Sequence, residues 1–201
     1  MPRLGNKKII AVDIDEVLFP MVPDLIDYLD KKHQIKLTEA DFKDYYFEKI
    51  WTGNPGEALE IFKQYRDQLG VTIAPVKGAK QAIHQLAKKY NIIVITSRDE
   101  SLEKITRDWL NNHFPELFKE VHLIGESIHL HSLETADKTS ICKRLGASYL
   151  IDDSFRHVAD ASREGIAGLL FGDYPWNQGS LPERATRVKG WHAVLEYFNG
   201  R

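Results

Sequence analysis

Four groups of polar residues stand where apolar runs end or a helical pattern begins: Asp13-Ile14-Asp15, Thr96-Ser97-Arg98, Lys138 and Asp152-Asp153. Carboxylates brought together repel one another and raise each other's pKa unless a cation neutralises them. Mg²⁺ suits such a set, because it prefers hard oxygen ligands and keeps water or phosphate oxygens in an octahedral shell. A phosphoryl group arriving there needs hydroxyl, N–H and lysine donors, a role open to Thr96, Ser97 and Lys138. One aspartate can attack phosphorus while a neighbour two residues on handles protons. Singly, these residues have blander readings, with Asp13 and Asp15 as turn carboxylates and Asp152-Asp153 as a helix cap before Ser154. Their joint occurrence, in order along the chain, is what points to chemistry.

Something must bring them together. Residues 8–13, 91–96, 148–153 and 165–171 are continuous apolar runs, the pattern of strands buried on both faces of a parallel sheet, and residues 120–124 form a weaker one. Helical periodicity separates them over residues 78–90, 101–113, 138–145 and 155–164, and the tail 191–198 reads as a closing helix. Alternating strands and helices predict an α/β fold with a doubly wound, Rossmann-like parallel sheet, whose site lies at the carboxyl ends of the strands. Ile14, between two outward carboxylates, should turn into the interior. The alternation breaks at residues 16–74, a stretch far longer than the dozen or so residues of a crossover. Two helical patterns in it predict a small helical cap, set on a core of residues 1–15 and 75–201.

Composition narrows the function classes. A chain of 201 residues that is 43% hydrophobic and 28% charged can bury a sizeable core, and a net charge of −2 gives no bulk attraction to nucleic acid or an anionic membrane. The single cysteine, Cys142, excludes an intrachain disulfide, sits on the apolar face of a short helical pattern and fits a structural role in a reducing cytoplasm. No apolar run is long enough to span a bilayer, and the start lacks the apolar stretch of a signal peptide. His129-Leu130-His131 beside Glu126 and Glu134 is a weak zinc pattern that reads better as solvent-facing, and the basic stretches 143–144 and 184–189 read as solvated faces.

The four polar groups resemble the four-part motif of the haloacid dehalogenase (HAD) superfamily. The opening Asp13-Ile14-Asp15-Glu16-Val17-Leu18, Pro75-Val76-Lys77-Gly78-Ala79, Thr96-Ser97, Ile151-Asp152-Asp153 and the loop Phe171-Gly172-Asp173-Tyr174-Pro175-Trp176-Asn177 resemble the 5'(3')-deoxyribonucleotidase family in particular. The resemblance implies a Mg²⁺-dependent phosphatase in which Asp13 is the nucleophile and Asp15 the general acid, then base. It implies phosphate binding by Thr96, Ser97 and Lys138. The metal would be held by Asp13, the backbone carbonyl of Asp15 and Asp153, with Asp152 orienting a metal water or Lys138. The sequence departs from the family at Glu16, where animal members carry glycine, and at Arg98, where they carry proline; both bear on the substrate rather than on the chemistry.

The inserted stretch holds Phe42, Tyr45, Tyr46, Phe47 and Trp51, which could form a platform for a nucleobase or pack within the cap. Phe19 and Met21 are placed to line the pocket floor. The expected substrate contacts are thus Phe19, Met21, Tyr46, Phe47, Trp51 and Arg98. A small phosphorylated substrate, a nucleotide, is the expected partner, with a homodimer as the candidate assembly and neither a nucleic-acid polymer nor a membrane. The rival readings are a phosphatase for sugar phosphates or other small metabolites, and a binding protein on a retired HAD fold.

Overall fold

The computed structural model describes residues 7–43, 54–125 and 137–200. In chain order its regular elements are β1 (Ile9–Val12), α1 (Met21–His33), α2 (Pro55–Asp67), α3 (Ala79–Ala87), β2 (Asn91–Thr96), α4 (Glu103–His113), β3 (Phe118–Leu123), α5 (Lys138–Leu145), β4 (Ala147–Asp152), α6 (Phe155–Arg163), β5 (Ala167–Phe171), β6 (Ala185–Val188) and α7 (Trp191–Asn199). Single 3₁₀ turns lie at Glu39–Asp41, Glu100–Leu102 and Pro175–Asn177.

The strands form one sheet in the order β3-β2-β1-β4-β5-β6, parallel throughout. Both faces of its centre are covered, which is why β1 and β2 are apolar at almost every position and wholly buried. Side chains alternate across the pleat. Ile10, Val12, Ile92, Val94 and Ile151 pack with Ile83 of α3, Trp109 of α4 and Val194 of α7. Ile9, Ala11, Ile93, Ile95 and Leu150 face the other way, onto Ile141 and Cys142 of α5 and Ala161 of α6. The chain leaves β1 toward β2 on one side and returns to pair β4 with β1 on the other, so a crevice opens at the carboxyl ends of these two strands.

α1 and α2 build a third apolar cluster of Val22, Leu25, Leu29, Phe42, Ile61 and Tyr65, joined by Trp176 from the loop after β5. α2 begins as its sequence dictates. The Asn54 side chain accepts from the N–H groups of Gly56 and Glu57, and Pro55 stands at the first helical positions. α1 carries Asp24 in its first turn and Lys31, Lys32 and His33 in its last, matching the helix dipole, and ends at Gln34 in the left-handed region.

The expected fold class is observed, with one correction. Residues 184–189, read as a solvated basic face, contain the edge strand β6 paired to β5. Within β6 only Val188 is buried, so no apolar run marked it. Arg187 is partly buried, and its guanidinium donates to the side chain of Asn177 at 2.7 Å and the carbonyl of Gly172 at 3.1 Å. The other strands begin or end within two residues of expectation. Among the described residues, no helix is long and apolar enough to cross a membrane.

Candidate active site

β1 ends at Val12, and the Asp13 N–H still donates to Ile151 of β4 at 2.9 Å, which carries Asp13 into the crevice. The chain then folds tightly, with Val17, Leu18 and Phe19 all donating to the Ile14 carbonyl, and Ile14 is fully buried. Glu16 takes a left-handed φ of 60°, the conformation that favours glycine. A glutamate here gains a contact that glycine could not make. The buried Glu16 carboxylate accepts from the Val22 N–H at 2.5 Å, serving the first turn of α1, where Pro20 offers no side-chain cap. Its carbonyl accepts from the Tyr174 hydroxyl at 2.9 Å.

Lys138 opens α5, and its buried ammonium lies 2.8 Å from Asp13 and 2.7 Å from Asp152. Asp152, at the end of β4, also accepts from the Ser154 N–H at 2.9 Å and lies 3.3 Å from His157 Nδ1. The cap of α6 is Ser154 itself, whose side chain accepts from the His157 N–H. Asp153 accepts from the indole N–H of Trp176 at 2.7 Å. Asp13, Asp152 and Asp153 each bring a carboxylate oxygen to within 4.8 Å of the others, and all three are buried.

Electrostatics follow from that crowding. Burial, with Asp152 and Asp15 nearby, outweighs Lys138 and raises the Asp13 pKa to about 6. Burial, then Asp152 and Asp13, push Asp153 well above the carboxylate range. Burial also works against ionised Asp152, but Lys138 and His157 overcome it and hold that group below its ordinary value. Lys138 would be lowered by burial, yet Asp13 and Asp152 outweigh this and raise it. Three carboxylates around one lysine, offering only hard oxygen donors, fit a divalent cation such as Mg²⁺.

Asp15 meets a different partner. Arg98 grips both its oxygens, at 3.0 Å from Nε and 2.6 Å from Nη2, and donates from Nη1 to Thr106 at 3.0 Å. The guanidinium lies over the Phe19 ring, 4.9 Å from its centroid. Phe19 is buried edge-on to Trp109, so it supports the floor beneath Arg98. Thr96, fully buried at the end of β2, accepts the Arg98 N–H at 3.3 Å, and Ser97 follows it at the rim. Met21 opens α1 between the sheet's core and the helical cluster.

Of the expected site residues, Asp13, Lys138, Asp152 and Asp153 therefore converge, and Asp15 and Arg98 pair beside Thr96. Tyr45, Tyr46, Phe47, Trp51 and the His129-Leu130-His131 stretch lie outside the described residues. Phe42, the first of the five aromatics, is buried in the helical cluster. The site also contains residues that the motif reading left without a role, namely His157, Thr106, Tyr174 and Trp176. The one local hint was the glycine-proline loop holding Tyr174 and Trp176.

A sequence model of the 5' nucleotidase, deoxy (pyrimidine), cytosolic type C family matches residues 7–198. The chain belongs to this family. As a member of the deoxynucleotidase family it is a phosphoric monoester hydrolase. It is 27% identical over 192 residues to a 5'(3')-deoxyribonucleotidase of Bacillus subtilis, covering 94% of this chain and 96% of the relative. Its fold is similar to a haloacid dehalogenase-like hydrolase from Streptococcus pneumoniae, with a TM-score of 0.66 at 17% identity over 96% of this chain and 98% of that one. It is also similar to the B. subtilis HAD hydrolase YfnB, solved bound to magnesium, with a TM-score of 0.63 at 11% identity over 96% and 99% of the two chains.

Proposed function

We propose that this chain releases phosphate from deoxyribonucleoside monophosphates in a Mg²⁺-dependent reaction through an aspartyl-phosphate on Asp13. The observation that carries the reading is Lys138 bridging Asp13 and Asp152 beside a third buried carboxylate, Asp153. A carboxylate raised by crowding, one lysine and oxygen donors alone are what a phosphoryl group and its cation require. Asp13, Asp153 and the Asp15 carbonyl would hold the ion, with Asp152 orienting Lys138. When bound, the cation supplies charge stabilisation for the transferring phosphoryl group and lets Asp13 stay ionised.

The remaining steps belong to the chain. An Asp13 oxygen attacks phosphorus as the bond to the ester oxygen breaks, and Asp15 delivers a proton to that leaving oxygen. A water then attacks phosphorus while Asp15 takes its proton, the bond to Asp13 breaks, and phosphate leaves. Arg98 donates one N–H to each Asp15 oxygen, which favours the carboxylate and leaves a second lone pair on each oxygen for the proton. Thr96, Ser97 and Lys138 would take the phosphate oxygens. Residues 16–74 would act as the cap that selects the leaving group, with Phe19, Met21, Tyr46, Phe47, Trp51 and Arg98 around the substrate. Membership in a family of pyrimidine deoxynucleotidases and the likeness to the B. subtilis deoxyribonucleotidase support a nucleotide over other phosphate esters.

The test is initial rates over deoxyribonucleotides, ribonucleotides and pentose phosphates, with Mg²⁺ and with a chelator. Base stacking of roughly 1 to 3 kcal/mol predicts a preference of about 5- to 150-fold for nucleotides over pentose phosphates. Equal rates on pentose phosphates would leave a small-metabolite phosphatase instead, and turnover in excess chelator would sink the metal mechanism.

A further inference from the structure

Trp176 lies outside the four polar groups of the catalytic motif, 23 positions after Asp153, yet its indole N–H donates to the Asp153 carboxylate at 2.7 Å in a buried setting. A buried indole needs an acceptor, and a backbone carbonyl suffices. Trp109 and Trp191 use this solution, donating to the carbonyls of Ile73 and Val17, each at 2.8 Å. Trp176 instead meets a carboxylate of the acidic cluster.

Its ring is held firmly. It stacks on Tyr174 with centroids 4.5 Å apart and planes 7° from parallel. It also packs among Val22, Leu25 and Tyr65 in the helical cluster. Tyr174 in turn lies on Gly172, where φ is 80° and an added Cβ would come within 2.1 Å of the ring. Asn177 closes the loop by donating to the Phe171 carbonyl at 2.9 Å and accepting the Tyr174 N–H at 3.2 Å. The donor is also chemically apt. An indole N–H carries no charge and does not titrate, so it orients one carboxylate oxygen without competing with a cation, as a lysine would.

We propose that Trp176 is a positioning residue for the cation: it fixes the Asp153 carboxylate for coordination and ties that ligand to the helices of the inserted segment. The inference rests on the reading that Asp153 holds Mg²⁺. Trp176→Phe keeps an aromatic ring against Tyr174 and removes the donor, with some loss of buried volume. Calorimetric titration of the full chain with Mg²⁺, alongside thermal unfolding in chelator, should show a roughly 10- to 100-fold weaker dissociation constant with a metal-free Tm lowered only by the lost volume. Mg²⁺ binding within twofold of wild type overturns the inference alone, whereas failure of the wild type to bind Mg²⁺ overturns the cation reading as well.

Should Trp176→Phe not fold, indole N–H resonances of the ¹⁵N-labelled wild type decide the matter. Asp153→Asn should shift one indole resonance, and Mg²⁺ should shift that same resonance in the wild type. If the indole moved by Asp153→Asn stays still on Mg²⁺ addition, or if none moves, the inference fails.

Discussion

Asp13 and Asp15 leave the same strand two residues apart, yet they enter opposite electrostatic worlds. Asp13 is buried with Asp152 and Asp153 around a shared Lys138, a grouping with more negative than positive charge. Asp15 stands nearer the rim, its side chain 23% exposed, and has a bidentate arginine to itself. The first half fits a cation; the second is already neutral as a pair. A two-residue step along a chain can thus set two carboxylates in different fields, the division that the proposed nucleophile and proton carrier would use, because each meets charges supplied by a different strand end or helix.

The comparison breaks most sharply at the nucleophile. Asp13→Asn should abolish phosphate release on every substrate, since it removes the attacking oxygen and a cation ligand together; measurable turnover by purified variant would refute the assignment. Asp15→Asn should act selectively. Loss of about 10²- to 10⁴-fold is expected on a nucleotide, whose alkoxide must be protonated, with a far smaller loss on p-nitrophenyl phosphate, whose leaving group needs little help. Parallel losses on both would argue that Asp15 is structural.

The charge excess around Asp13 should appear in stability as well. Its folded pKa of about 6 lies above the ordinary 3.8, so between those values the native state holds a proton that the unfolded chain has released. Stability of the metal-free protein should therefore be greatest near pH 4 and fall as pH rises through 6, by on the order of 3 kcal/mol from this group. Asp153, raised for the same reason, adds in the same direction. Urea unfolding from pH 4 to 8 in chelator and in Mg²⁺ checks this, with the Mg²⁺ stabilisation expected to grow across the window. A metal-free curve that rises with pH would contradict it.

The smallest expected effect belongs to the neutral half. Arg98→Ala strips a partner from a carboxylate that water can partly reach, so the stability cost should be about 1 to 3 kcal/mol, with the Mg²⁺ affinity unchanged. A loss of Mg²⁺ binding in this variant would show that the two halves are coupled.

Much of this was written in local pattern. Strands buried on both faces must be apolar throughout, so β1, β2, β4 and β5 are visible as runs, and the polar residues that end them belong to the crevice by the geometry of a parallel sheet. The sequence alone therefore determined the fold class and gathered Asp13, Asp15, Thr96, Lys138, Asp152 and Asp153 as one candidate site. It was silent on β6, an edge strand with one buried residue, where no periodic signal is required. Partnership across the sheet was decided only by the tertiary structure. Arg98 could face substrate or protein until the β1–β2 pairing set it against Asp15, 83 residues away. Trp176 reads as an ordinary loop aromatic until β4 and β5 lie side by side and bring its N–H to Asp153. Periodicity records which face of an element is buried, whereas the partner of a polar group depends on register and on chain returns from far along the sequence.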